Sequence, residues 1–114
     1  MQLSIVIPCL NEHETLASVV AKASQGLAAG GLAGEVIVSD NGSTDGSIEI
    51  ARAGGARVVH ASRRGYGNAL QAGIEAAQGR WIVMGDADDS YDFREIPKFV
   101  APLEAGADLV MGCR

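Results

Sequence analysis

Trp81-Ile82-Val83-Met84-Gly85-Asp86-Ala87-Asp88-Asp89-Ser90-Tyr91-Asp92 sets a short apolar run directly against a loop carrying four carboxylates. Trp81 to Met84 combines β-branched, aromatic and thioether side chains, the pattern of a strand buried on both faces. Asp86, Asp88, Asp89 and Asp92 then share one loop, where their repulsion is unfavourable unless water screens it or a cation neutralises it. An Asp-rich turn or helix cap accounts for the same residues, so the stretch does not decide between the two by itself.

Working outward, the same sequence of apolar run and polar loop recurs along the chain. Leu3 to Pro8 reads as a first strand, ended by a proline that cannot donate to a ladder. Asn11 is expected to cap the next helix, with Glu14 completing a capping box. Leu16, Val19, Val20 and Ala23 share one face of that helix, and the glycines between Gly26 and Gly34 end it. Glu35 to Ser39 is a second strand, followed by the polar loop Asp40 to Gly46. Ser43 or Thr44 is expected to cap a short helix reaching about Arg52 and closed by Gly54-Gly55.

Arg57 to His60 forms a weak third strand, and Ala61 to Gly67 the loop after it. A helix over Asn68 to Gln78 carries Leu70, Ile74 and Ala77 on one side and stops at Gly79. Trp81 to Met84 is the fourth strand. A further helix is expected near Glu95 with Pro97 in its first turn, disturbed by Pro102, before a fifth strand at Asp108 to Met111. This alternation predicts an α/β fold: a Rossmann-like, mostly parallel sheet with helices on both faces. In such a sheet the loops after the strands open on one rim, where ligands bind. Asn11-Glu12, Asp40 to Asp45, Arg63 to Asn68 and Asp86 to Asp92 all fall on that rim.

Composition bounds what the rim can serve. The chain of 114 residues fits one domain. It is 47% hydrophobic and 20% charged, enough apolar material for a core and unlike a disordered tail. A net charge of −5 argues against a nucleic-acid partner, which wants a basic face. Cys9 and Cys113 lie at opposite ends without metal-ligand spacing and read as free thiols of a reducing compartment. No cleavable signal peptide is read at the start, and no apolar run approaches the ~18 residues of a membrane span.

Each cluster suits a particular chemistry. Asp86 and Asp88 flank the small Ala87, so a tight loop can bring their carboxylates to a hard, oxygen-preferring cation, Mg²⁺ or Mn²⁺, leaving positions for phosphate oxygens. Asp89 and Asp92 fit capping or outer supporting roles. Asp40, immediately after a strand, can accept hydrogen bonds from a base or sugar, or form an Asx-turn. Arg63 and Arg64 precede a Gly-Tyr-Gly turn and the helix start at Asn68, a combination of cationic and backbone donors suited to a diphosphate.

Glu12 can touch a base or ribose, or act on its helix dipole. Arg114 follows the last strand on the same rim, where it can reach a phosphate or remain solvated. His13 and His60 are isolated and read as surface or turn residues. Gly65-Tyr66-Gly67-Asn68-Ala69-Leu70 lacks the third glycine of a dinucleotide fingerprint and follows the wrong strand, which excludes that reading.

These residues carry a resemblance. Ser4 to Pro8 with Asn11-Glu12, Val38 to Asp45, Arg64 to Ala69, and Gly85-Asp86-Ala87-Asp88 resemble the N-terminal half of family-2 glycosyltransferases, closest to the dolichyl- or polyprenyl-phosphate sugar synthases. The resemblance implies a GT-A nucleotide-sugar-binding half. It places Pro8, Asn11, Glu12 and Asp40 around the base and ribose. Arg64, Asn68, Ala87 and Arg114 are assigned to the nucleotide side with them. Asp86 and Asp88 become the DxD pair holding the metal and diphosphate. Many relatives carry a glutamine two positions beyond the second aspartate, and Ser90 stands there in this chain.

The implied reaction is inverting transfer of a sugar from a UDP- or GDP-sugar to a polyprenyl (dolichyl-type) phosphate. Relatives continue beyond the position of Arg114 into an acceptor-binding half, so residues 1–114 are expected to be a single nucleotide-sugar-binding domain truncated before it. Such a cut exposes a sheet edge and invites self-association. A cytoplasmic location is expected, at the membrane surface for a full-length protein. Two alternatives stand beside this reading: a non-catalytic nucleotide-binding remnant, and a receiver-like acidic Mg²⁺-binding signalling domain. The receiver pattern wants paired acids after strand one and a lysine after strand five, where Asn11-Glu12 and Arg114 are found. A sugar-nucleotide pyrophosphorylase would need a glycine-rich basic loop in place of Pro8 to Glu12.

Overall fold

A computed structural model describes residues 3–63, 65–85, 87, 94 and 109–111, the side chains of residue 66 and residues 109–111 excepted. In chain order the elements are β1 (Leu3–Cys9), α1 (Leu16–Ala29), β2 (Gly34–Asp40), α2 (Ser47–Ala53), β3 (Arg57–His60), α3 (Tyr66–Ala76), β4 (Trp81–Met84) and β5 (Leu109–Met111). They build a sheet ordered β3-β2-β1-β4-β5, with every adjacent pair parallel. The expected alternation and sheet type hold.

β1 lies at the centre, and all its residues are buried. Its odd-numbered side chains Leu3, Ile5 and Ile7 pack with Val36, Val38 and Val83 beneath Leu16, Val19, Val20 and Ala23 of α1. Each of the larger aliphatic side chains contributes about 1.5–3 kcal/mol on burial. On the opposite face Val6, Ile37 and Met84 pack with Val59, Leu70 and Ile82 under α3. One face therefore carries α1 and α2 and the other α3, which makes the sheet doubly wound.

Several local expectations need correction. Pro8 does not end β1: it pairs in register with Ser39, and the strand runs on to Cys9. Gly85 N donates to the Val6 carbonyl, so the even residues of β1 turn their backbone toward β4. Pro8 faces the same way but lies beyond the last pair, Val6 with Met84, where no ladder donor is required. The Asn11–Glu14 capping box is absent too. α1 starts after Thr15, and the Asn11 side chain accepts from Thr44 N instead.

Gly26 is buried within α1, and the core residue Leu27 carries that helix another turn to Ala29 before Gly30 and Gly31 close it. α2 begins after Gly46 at φ 92 with no cap from Ser43 or Thr44; Asp45 serves its first amide instead. α3 begins two residues early, after Gly65, and its packed face runs through Ala69, Leu70 and Gly73 while Ile74 is exposed. Gly73 lets this helix sit directly on β1: an added Cβ would lie 2.4 Å from Val6 Cγ1. Nor is Gly79 a helix stop, since α3 ends at Ala76. Its role is close approach, with a Cβ there falling 2.6 Å from the backbone of Leu3 and Ser4.

The amino ends of the strands are tied by one carboxylate. Glu35 accepts from Ser4 Oγ at 2.7 Å, Gln78 N at 2.8 Å and Arg57 Nη2 at 2.9 Å. Burial pushes its carboxyl up, but the Ser4 hydroxyl, the Gln78 amide and Arg57 outweigh that effect and hold it below its ordinary value. Cys9 is a free thiol, as expected, and burial raises its pKa. Among the described residues no helix is long and apolar enough to cross a membrane. The helix expected near Glu95 with Pro97 and Pro102, and Cys113, lie outside the described residues.

Candidate functional site

The strand order decides where a ligand can enter. From β1 the chain winds outward through β2 to β3, then returns over α3 to lay β4 on the other side of β1. The loops leaving the carboxyl ends of β1 and β4 consequently diverge at the switch point, the usual crevice of such sheets. Residues 10–15, 41–46, 61–63, 65, 85 and 87 follow β1, β2, β3 and β4 on this rim of the sheet.

Asp40 is the last residue of β2 and is only 2% exposed. Its Oδ2 accepts from Gly42 N at 3.0 Å and Ser43 N at 2.9 Å, forming an Asx-type turn. Its Oδ1 is buried without a hydrogen-bond partner. The two oxygens thus divide the roles that the sequence left open: one builds the loop, and the other remains an acceptor. A buried unsatisfied acceptor costs about 1–3 kcal/mol, so a ligand donor reaching it would recover that cost.

Asn41 had no assigned role from sequence, yet it organises three strand ends. Its N–H donates to the Cys9 carbonyl at 2.9 Å. Its side chain donates from Nδ2 to the Arg63 carbonyl at 2.9 Å and accepts Gly65 N at Oδ1, 2.8 Å away. The neighbouring Ala61 N donates to the Asp40 carbonyl. Together these bonds hold the β3–α3 loop against the end of β2. Asn68, in the first turn of α3, lines a polar groove there with Ser62, Arg63, Gln71 and Glu75.

The first loop is joined to the second with equal care. Asn11 adopts φ 52, a left-handed conformation that asparagine tolerates. Its N–H donates to Ser43 Oγ at 2.9 Å, and its Oδ1 accepts Thr44 N at 2.9 Å. His13, read from sequence as an isolated surface residue, contacts Asp45 through both backbone and ring. The Ser47 hydroxyl, and after it His13, hold the Asp45 carboxyl well below the usual carboxylate range. Pro8 lies buried one residue before the end of β1, and Glu12 stands half-buried in the loop beyond, its carbonyl accepting from Thr15 N and Leu16 N.

Across the switch point, Thr15 Oγ1 donates to the carbonyl of Ala87 at 2.5 Å, and Ala87 is buried. This contact was not legible in sequence. Asp86, Asp88, Asp89, Ser90, Asp92, Arg64 and Arg114 lie outside the described residues. Among the described residues no cluster of three or more His, Cys, Asp or Glu side chains forms a metal site. The donor set expected from sequence, Asp86 and Asp88 on either side of Ala87, consists of two carboxylates. Hard oxygen donors of this kind fit Mg²⁺ or Mn²⁺.

A model of the family described as glycosyl transferase family 2 matches residues 4–114. The chain belongs to this family. Similar family members include an uncharacterized glycosyltransferase of Mycobacterium tuberculosis, 44% identical over 112 residues, covering 98% of this chain and 48% of that protein. A dolichyl-phosphate hexose transferase of Haloferax volcanii is 38% identical over 115 residues, covering 98% of this chain and 47% of that protein. The chain thus spans about half the length of these curated relatives.

Among solved structures, glucosyl-3-phosphoglycerate synthase from Mycobacterium tuberculosis, in complex with Mn²⁺, UDP and glucosyl-3-phosphoglycerate, aligns with a TM-score of 0.77 at 37% identity. The alignment covers 90% of this chain and 39% of that one. The fold of this family-2 glycosyltransferase chain is therefore the GT-A arrangement expected from its sequence, and its relatives are transferases.

Proposed function

We propose that this chain is the nucleotide-sugar-binding part of an inverting glycosyltransferase that uses a UDP-sugar and transfers the sugar to a polyprenyl phosphate. The observation that carries the reading is Asp40 Oδ1, a buried carboxylate oxygen with no partner, at the rim beside the switch point. The imide N–H of uracil supplies the single donor such an oxygen lacks, and the N1–H of guanine offers the same chemistry in a GDP-sugar. That the solved relative holds UDP together with Mn²⁺ supports the uridine form.

In this reading Asp40 orients the base, while Asn41 keeps the β3–α3 loop in place beside it. Pro8, Asn11 and Glu12 border the base and ribose. Arg64, Asn68 and Arg114 serve the phosphates, and Asp86 and Asp88 hold the cation with Ala87 between them. A bound Mg²⁺ or Mn²⁺ supplies electrostatic stabilisation of the charge that builds on the departing diphosphate. An acceptor phosphate arrives already anionic and needs little help from a general base.

The Haloferax relative, a dolichyl-phosphate hexose transferase, supports the lipid-phosphate acceptor. The solved relative, bound to glucosyl-3-phosphoglycerate, favours a second reading in which the acceptor is a small phosphorylated acid. Donor binding is tested by calorimetric titration with UDP and GDP, each with and without Mn²⁺. Metal-dependent binding of UDP that disappears in the Asp86→Ala, Asp88→Ala double variant is expected. Absence of metal-dependent binding for both nucleotides, or binding undiminished in that variant, overturns the reading. Assays with a polyprenyl phosphate and with phosphoglycerate then separate the two acceptors.

A further inference from the structure

The two carboxylate oxygens of Asp40 stand in different states. Oδ2 accepts from Gly42 N at 3.0 Å and from Ser43 N at 2.9 Å, so both of its lone-pair directions are taken by backbone donors of its own loop. Oδ1 is buried without a partner, on a side chain only 2% exposed. Freeing Oδ2 would require the turn to open, and Asn41 inside the turn is pinned on three sides. Its N–H is bonded to the Cys9 carbonyl, and its side chain to the Arg63 carbonyl and Gly65 N.

A carboxylate can read a nucleobase in two ways. With both oxygens open it forms a fork for guanine, whose N1–H and 2-amino N–H run side by side and take one oxygen each. With one oxygen open it offers a single acceptor, which matches the lone N3–H that uracil carries between its two carbonyls. Cytosine in the same pose sets an unprotonated N3 against that acceptor. Guanine can reach Oδ1 through N1–H, but its 2-amino group then faces an oxygen already filled and gives up its hydration without a bond in return.

We propose that the divided carboxylate of Asp40 makes this site selective for uracil over guanine and cytosine, because only one of its oxygens is open to a base. This rests on the reading of Asp40 as the base contact given above, which by itself leaves UDP and GDP equally suited to Oδ1. The backbone amides of Gly42 and Ser43 thereby gain a part in specificity. They touch no nucleotide in this scheme and act by withholding Oδ2. The turn that shapes the loop also chooses the base.

The test is calorimetric titration of the wild-type protein with UDP, CDP, GDP and inosine diphosphate, each in the presence of Mn²⁺. UDP should bind about 10-fold or more tightly than CDP, the loss of one hydrogen bond to a charged group, and about 10-fold more tightly than GDP. GDP should bind no more tightly than inosine diphosphate, which lacks only the 2-amino group. In Asp40→Asn the amide oxygen can serve the turn while the amide nitrogen sets a donor against N3 of cytosine. The preference for UDP over CDP should therefore fall about 10-fold or more, a change of selectivity that loss of folding cannot produce. GDP bound about 10-fold more tightly than inosine diphosphate would show both oxygens reading guanine and overturn the proposal, whether or not the variant folds. So would GDP or CDP bound as tightly as UDP, or an unaltered UDP-to-CDP ratio in folded D40N. If none of the four nucleotides binds, the nucleotide-site reading itself has failed and the proposal falls with it, a result distinct from the others.

Discussion

His13 meets Asp45 twice on a single oxygen: its backbone N–H donates to Asp45 Oδ2 at 3.1 Å, and its ring Nδ1 lies 2.7 Å from the same atom. Nδ1 must carry a proton to make this contact. The other carboxylate oxygen accepts from Ser47 N at 3.1 Å and Ser47 Oγ at 2.5 Å. One side chain therefore fastens the loop after β1 to the first residue of α2, and both oxygens serve donors only.

Asp45→Asn replaces one of those acceptors with a donor, so one side of the clasp must open. The folded-state pKa of Asp45 is held down, so its contribution is full above the ordinary carboxylate value, about pH 4, and is lost as pH falls further. The expected result is a lower melting temperature for D45N at pH 7, with the gap to wild type closing as the solution is acidified below about pH 4. A gap that is unchanged by acid would show that the charge does not carry the clasp.

Glu35 and Arg57 form an ion pair at 2.9 Å, but the two partners should not cost the same on removal. Glu35 also accepts from the buried Ser4 hydroxyl and the Gln78 amide, so Glu35→Ala orphans several donors and should cost about 2–3 kcal/mol. Arg57 is 41% exposed, and Arg57→Ala should cost no more than about 1 kcal/mol. Urea denaturation of both variants checks the ranking, and equal losses would contradict it.

Gly73→Ala sets two effects against each other. Alanine is the better helix former by about 1 kcal/mol, whereas the added methyl collides with the buried, β-branched Val6. Overpacking of this kind costs about 1–3 kcal/mol, so a net loss of up to about 2 kcal/mol is expected in chemical denaturation. A stabilised variant would mean that α3 can lift from β1 without penalty.

Asp40→Asn probes the unpartnered oxygen while keeping the turn. The asparagine Oδ1 can still accept from Gly42 N and Ser43 N, but its Nδ2 presents a donor where a nucleobase imide also donates. UDP binding should weaken about 10- to 100-fold, with thermal stability changed by no more than about 1 kcal/mol. Retained affinity in calorimetry would remove Asp40 from the base pocket.

The strands were legible because each is a short apolar run bounded by glycines or polar loops, and the buried face of α1 followed from the spacing of Leu16, Val19, Val20 and Ala23. Asp40 stood out as a carboxylate placed directly after a strand. Helix starts were less legible. Asn11 satisfies the sequence rule for a cap, but Thr44 N competes for its side chain across 33 residues, and no local pattern reveals that competitor. Asn41 and Thr15 were missed for the same reason, since their partners Arg63, Gly65 and Ala87 lie far along the chain. Ile74 matched a helical face in spacing, but Gly73 brings α3 so near the sheet that the packed side turns away from it.

β1 comes first in the chain and sits in the middle of the sheet, with Leu3 paired to Gly34 on one side and Trp81 on the other. Local pairing with β2 can form early, but its second edge stays open until the distant β4 arrives, and such long loop closures are the slow steps of folding. The crevice belongs to that late event, because Thr15 and Ala87 meet only across the β1–β4 seam. A ligand held there would bind only a chain in which β4 has paired with β1, so its binding energy would protect that pairing from reopening.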